Sequence, residues 1–342
     1  MSITLLFLVG APRSGTTMLE RILSSHSQIQ GGPEPHLLTP LAHLGIWSNV
    51  DKAPYDHIVA GIGQKDFVAQ LPDKEQDYYA ACRAYCEHLY ERYMAGSGKR
   101  VCLDKTPEYA TILPFISKVL PDAKYVVLTR HPVAVFSSFA TSFFDGDYDI
   151  AHAHDPLLER YVPAMAAFLR QREVPFLHVR YEDFVADPEP MLRSIYEYVG
   201  LPHEPQTLDY NKNGASHSGL GDPIGIKQHS RPSVQSLSRW TDELIDNPHR
   251  LELMRRIVAS LDPDDLETLG YPVETFWRAL EEREAGGGKV ANGHKKRPKR
   301  LDRYALERKA IVRGRSLVQG SSGLRDLIKK VRLACDVLLR EY

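Results

Sequence analysis

No stretch of this sequence approaches the roughly 18 to 20 consecutive apolar residues of a membrane-spanning helix, which excludes an integral helical membrane protein. Cysteine is scarce, with four residues in 342, Cys82, Cys86, Cys102 and Cys335. That is too few for a disulfide framework, and Cys82 and Cys86 have no second pair behind them to make a zinc pattern. A reducing cytoplasm is the compartment these numbers predict. The apolar opening, residues 1–10, lacks both a Lys or Arg ahead of it and a small-residue cleavage site, so it reads as a buried first strand rather than a signal peptide. Net charge is also nearly absent, at −1, but the balance is uneven. Residues 286–342 hold 16 Lys and Arg against 5 Asp and Glu, whereas residues 1–285 hold 27 against 39. The chain is an acidic body with a basic tail.

What is present is an alternation. Short apolar runs at 5–9, 101–103, 125–128 and 176–179 are separated by segments of helical periodicity, including 76–93 and 156–172. This order predicts an α/β fold, a three-layer α/β/α arrangement with a central parallel sheet. Residues 201–239 have little periodicity and many Gly, Ser, Asn, His and Pro, which suggests a long surface loop acting as a lid. Helices are expected to resume around 241–261. Gly286 to Gly288 and the basic cluster Lys295, Lys296, Arg297, Lys299 and Arg300 mark a linker, placing one domain at 1–285 and a basic helical extension at 286–342. In that extension Leu324, Leu327, Ile328, Val331, Cys335 and Leu338 share one helical face.

The most informative segment runs from Gly10 to Thr17, GAPRSGTT, between the first strand and the first helix. Backbone N–H groups of such a loop, with those at the helix start, cradle an anion. The nucleoside triphosphatase pattern GxxxxGK[ST] is only partly met: Gly10 and Gly15 are in place, but Thr16 stands where the lysine belongs, and Arg13 supplies the cation from inside the loop. The strand at 124–129 ends in Arg130, a cation where a magnesium-nucleotide enzyme needs a carboxylate, leaving Asp104 as the one such candidate. Arg130 with the downstream hydroxyl of Ser138 suits a second, separate phosphate. Cys82, Cys86 and His88 lie at core-compatible helical spacing, and no metal is expected there.

PRSGTT after a first strand, LDKTP at 103–107, LTRHP with Ser138 eight residues beyond the arginine, and VRYEDFVADPE at 179–189 together resemble the sulfotransferases that use 3'-phosphoadenosine 5'-phosphosulfate. Among these the chain is most similar to the tyrosylprotein and bacterial branch, over roughly residues 3–275. The resemblance implies a P-loop-type fold, the phosphosulfate as donor, 3'-phosphoadenosine 5'-phosphate as product, and no metal. It makes Arg13, Ser14, Gly15, Thr16 and Thr17 the 5'-phosphosulfate loop, Arg130 with Ser138 the 3'-phosphate site, Lys105 the family's lysine, and Glu34 the general base. Two departures stand out. Pro33 replaces an acidic residue beside the base, and the basic loop before Trp240 offers either Lys227 or Arg231 as its donor contact.

The implied reaction is an in-line displacement, with charge building on the bridging oxygen of the leaving nucleotide. Arg13 and Lys105 are the cations expected to stabilise it. Glu34 suits proton removal from the acceptor hydroxyl, with His36 as the rival base. Glu182 and Asp183 read as structural. The acceptor is expected to be a small or conjugated hydroxyl compound, less readily an amine, and nucleic acid is not an expected partner. Alternatives are an atypical P-loop kinase or NTPase using Asp104 for magnesium, and a nucleotide-binding module docking on an anionic partner through its tail. The tail also suits packing on the body or on a second copy.

Overall fold

The first apolar run forms β1 (Thr4–Val9), and glycine-containing residues then turn the chain into α1 (Thr16–Ser24). In this computed structural model the described residues are 4–31, 38–42, 57–209 and 237–286, with isolated positions 231, 232, 234, 310, 314, 323, 324, 327 and 331. A two-residue strand β2 (Ile29–Gln30) follows, then α2 (Leu38–Ala42), α3 (His57–Val68), α4 (Glu75–Met94), β3 (Val101–Asp104) and α5 (Leu113–Val119). Next come β4 (Lys124–Thr129), α6 (Pro132–Phe143), α7 (Tyr148–His154), α8 (Leu157–Gln171), β5 (Phe176–Arg180), α9 (Tyr181–Ala186) and α10 (Pro188–Val199). The body ends with α11 (Arg239–Ile245), α12 (Pro248–Ala259), α13 (Pro263–Thr268), α14 (Val273–Phe276) and α15 (Arg278–Ala285).

The strands form one sheet in the order β2-β3-β1-β4-β5, with every neighbouring pair parallel. Its continuous apolar strands are those of a sheet covered on both faces. Alternate side chains take opposite sides: Leu6, Leu8, Leu103, Val126 and Leu128 pack with α1, α9 and α10. Phe7, Val9, Cys102, Tyr125 and Val127 face the larger layer built by α4, α5, α6, α8 and the helices after residue 239. Phe7 stacks on Tyr125 at 5.5 Å. Three layers result, as the alternation of elements predicted.

Two features differ from the sequence-based expectation. β2 was not expected, because two residues are too short to show periodicity. Helices resume near residue 241 as expected, as α11 and α12, separated where Asn247 accepts the Arg250 N–H through its side chain and Pro248 opens the second. The expected loop also begins later than 201: Leu201 and Leu208 are buried, and the Thr207 and Tyr196 hydroxyls bond at 2.8 Å. Residues 210–230, the heart of the supposed lid, lie outside the described residues. Among the described residues no helix is long and apolar enough to cross a membrane. The described tail positions 310, 314, 323, 324, 327 and 331 are helical, and Leu324, Leu327 and Val331 are exposed.

Candidate active site

Parallel strands all end at the same edge of the sheet, so the residues after each strand gather there. Beyond β1 lies the glycine loop, beyond β3 Lys105, beyond β4 Arg130 and beyond β5 Tyr181. Register keeps them level, since Phe7 pairs with Asp104, Val9 with Val127 and Thr129 with Arg180.

The loop is tightly made. A Cβ on Gly10 would lie 2.6 Å from Ser14 Oγ and 2.7 Å from the Leu128 carbonyl oxygen, so only glycine fits. Gly15 has φ +100° and is pressed against Tyr181, whose ring carbons would lie 2.5 Å from an added Cβ. Arg13 also adopts a left-handed backbone, φ 72°, an uncommon state for a residue with a side chain. Arg130 supports that turn by donating from Nη1 to the Arg13 carbonyl at 3.1 Å. The guanidinium of Arg130 meanwhile lies 4.4 Å from the centre of the Tyr181 ring. One tyrosine therefore backs both the glycine turn and the arginine.

The Arg13 side chain reaches over the loop to α6, donating from Nε to Ser138 Oγ at 3.2 Å. Its guanidinium lies 5.8 Å from the centre of the Phe143 ring. Arg13, Arg130 and Ser138 thus meet in space. Ser14 is 1% exposed, and its hydroxyl has no hydrogen-bond partner among the described residues. The first turn of α1, which opens with Thr16 and Thr17, has N–H groups without intrahelical acceptors. An orphaned hydroxyl, helix-start N–H groups and two arginines fit the phosphate groups of a nucleotide.

At the end of β3, Asp104 and Lys105 are each 3% exposed. The Asp104 carboxylate accepts hydroxyls from Tyr90 at 2.6 Å, Thr106 at 3.1 Å and Tyr109 at 3.3 Å. Asp104 is therefore committed to the core rather than presented as the magnesium ligand of the kinase alternative. Tyr109 also accepts the Leu38 N–H at 2.9 Å, tying α2 to the same cluster. Cys82, Cys86 and Cys102 are buried free thiols, and burial pushes Cys86 and Cys102 up to about 12. Among the described residues no group of three or more His, Cys, Asp or Glu is placed to hold a metal ion.

Glu34, His36 and the neighbouring Pro33 fall within 32–37, outside the described residues, as does Lys227. Arg231 is described: its side chain is 62% exposed and paired with Asp209. Glu182 is structural as expected, accepting the His131 N–H at 3.0 Å and the Tyr271 hydroxyl at 2.6 Å. Asp183 makes a 3.6 Å pair with Arg180 on the surface.

The sequence reading overlooked His131. Its ring lies nearly parallel to Trp240 at 4.5 Å, meets Tyr271 edge-on at 5.5 Å, and has Nε2 at 2.9 Å from the Phe276 carbonyl. Burial pushes this histidine down to about 4, against the opposing pull of the Phe276 carbonyl and Glu182. Ring and hydrogen-bond partners 109 and 145 positions away leave no local signal in the sequence.

A parallel sheet, a glycine loop at a helix start and a strand-end arginine make an α/β protein whose loop fits an anion and carries arginine where a P-loop has lysine. The chain belongs to the sulfotransferase family, whose sequence profile matches residues 6–205. Nodulation protein NoeE of Sinorhizobium fredii is 31% identical over 293 residues, covering 78% of this chain and 65% of that protein. Protein-tyrosine sulfotransferase 1 of Danio rerio is 23% identical over 264 residues, covering 76% and 67%. The chain thus spans about two thirds of the length of these curated relatives. Among solved structures, the sulfotransferase domain from the Synechococcus PCC 7002 olefin synthase is 22% identical with a TM-score of 0.49, covering 79% of this chain and 95% of that one.

Proposed function

We propose that this protein transfers a sulfuryl group from 3'-phosphoadenosine 5'-phosphosulfate to an acceptor hydroxyl. The convergence of Arg13, Arg130 and Ser138 around a glycine loop, with a Ser14 hydroxyl unpartnered among the described residues, carries the proposal. When bound, the donor supplies an activated sulfuryl group and a good leaving group. The loop from Arg13 to Thr17 holds the 5' end, with backbone N–H groups and the Arg13 guanidinium meeting its negative charge. Arg130 and Ser138 hold the 3'-phosphate, and one of Lys227 and Arg231 adds a further contact. Lys105, fixed at the end of β3, supplies positive charge where negative charge grows during transfer. Glu34 takes the acceptor proton, with His36 as the competing base.

Membership of the sulfotransferase family and the commitment of Asp104 to three hydroxyls both favour this reading over a magnesium-dependent kinase. Residues 1–285 form the catalytic unit and 286–342 an appendage for a second copy or an anionic partner. Free buried thiols support a reducing compartment such as the cytoplasm. Calorimetry with chelator present tests the reading: 3'-phosphoadenosine 5'-phosphate should bind without added metal. Tighter binding of magnesium-ATP would replace this function with the kinase one. Label transfer from a labelled donor to a panel of phenols, sugars, hydroxyacyl chains and peptides then identifies the acceptor.

A further inference from the structure

We propose that Glu243 is a positioning residue for the 3'-phosphate site, acting through α6; the inference rests on the nucleotide reading above. Its carboxylate, with the side chain 13% exposed, gathers hydroxyl donors from two helices. Oε2 accepts Ser137 Oγ at 2.6 Å and the Tyr148 hydroxyl at 3.2 Å, and Thr141 Oγ1 stands 3.3 and 3.5 Å from the two carboxylate oxygens. Oε1 also accepts from Arg239 Nε at 3.2 Å, which balances the charge within α11.

Ser137 and Thr141 are four apart on α6 and lie on one stripe of that helix. Ser138 is the next residue, about 100° further round, where it meets Arg13. Fixing Ser137 and Thr141 therefore fixes the direction of the Ser138 hydroxyl. Three residues before Glu243, Trp240 stacks on His131, the residue that links Arg130 to α6. The short helix α11 thus holds α6 at its beginning and in its middle, and both phosphate-binding side chains are set by the same brace. Ser137 and Tyr148 are 3% and 1% exposed, so exchanging the carboxylate for an amide puts an N–H donor in place of one acceptor oxygen beside buried hydroxyls and loosens the constraint on helix rotation.

Two ligands separate positioning from general stability: 3'-phosphoadenosine 5'-phosphate, and adenosine 5'-phosphate, which lacks the 3' group. Calorimetry on the full chain gives the ratio of their affinities. Glu243→Gln should weaken the bisphosphate by about fivefold or more while leaving the monophosphate in place, a loss comparable to one ordinary hydrogen bond. Ser137→Ala, a milder change that keeps Glu243, should shrink the ratio in the same direction, and combining the two should add little because they act through one contact. An unchanged ratio in both variants, or equal weakening of both ligands, would overturn the proposal. A wild-type protein with no preference for the bisphosphate would instead overturn the assignment of Arg130 and Ser138, and this inference with it.

Discussion

The Arg13 guanidinium donates to the Ser138 hydroxyl at 3.2 Å across 125 positions of sequence. The cation assigned to the 5' end of the nucleotide therefore touches the hydroxyl assigned to its 3' end, which makes the two phosphate sites one connected surface. Arg130→Ala should weaken bisphosphate binding by about 1.5 to 3 kcal/mol, the usual size for a hydrogen bond to a charged group. Arg13→Ala should lower both affinity and rate, since its cation meets ground state and transition state alike. Calorimetry and initial rates on the two variants check this, and full affinity in Arg130→Ala would remove the 3'-phosphate assignment.

Gly15→Ala meets two obstacles, a left-handed backbone and the Tyr181 ring. The variant should be about 1 to 3 kcal/mol less stable in urea unfolding. It should also bind nucleotide poorly, because relief of the clash requires either the turn or Tyr181, with Arg130 upon it, to move. Wild-type stability and affinity together would contradict the packing described for this loop.

Glu34→Gln preserves shape and removes basicity. It should bind the bisphosphate normally and lose about a hundredfold to ten-thousandfold in transfer rate, the range for a general base. His36→Ala should keep most activity. The reverse pattern would pass the role of base to His36.

Acid should destabilise the fold partly through His131. Its folded value of about 4 lies below the roughly 6.5 of an unfolded histidine, so the folded state binds fewer protons between them. The stability from the neutral ring is complete above the unfolded value and is lost as pH falls toward 4, at up to about 1.4 kcal/mol per pH unit. Urea midpoints for wild type and His131→Phe should therefore converge on acidification. Burial also lowers His178, but that ring is present in both proteins and cancels in the comparison. Parallel curves would show that His131 does not titrate in this way.

Deleting residues 286–342 should leave nucleotide affinity nearly unchanged, because the donor motifs all precede Glu284. Gel filtration of the same truncated protein reports any change in association. Lost nucleotide binding in a still-folded truncation would place part of the site in the tail.

Most of the proposed donor site was legible because its parts are local. GAPRSGTT carries its own turn geometry, and four apolar runs followed by cations or glycines place those residues at one sheet edge once the strands are parallel. The two-residue β2 was not legible, since its pairing with β3 rather than its own pattern makes it a strand. Arg13 and Ser138 stand 125 positions apart, and nothing in either segment says that they touch.

By itself the sequence determined the alternation of elements, the glycine loop between β1 and α1 and the arginine within it, all properties of neighbouring residues. Tertiary structure alone decided that Asp104 serves the core, that His131 stacks on Trp240, and that Glu243 braces α6. The physical reason is distance along the chain. A hydrogen bond between residues 106 positions apart, like that of Ser137 with Glu243, depends on packing the helices over the sheet, and no short window of sequence contains both partners.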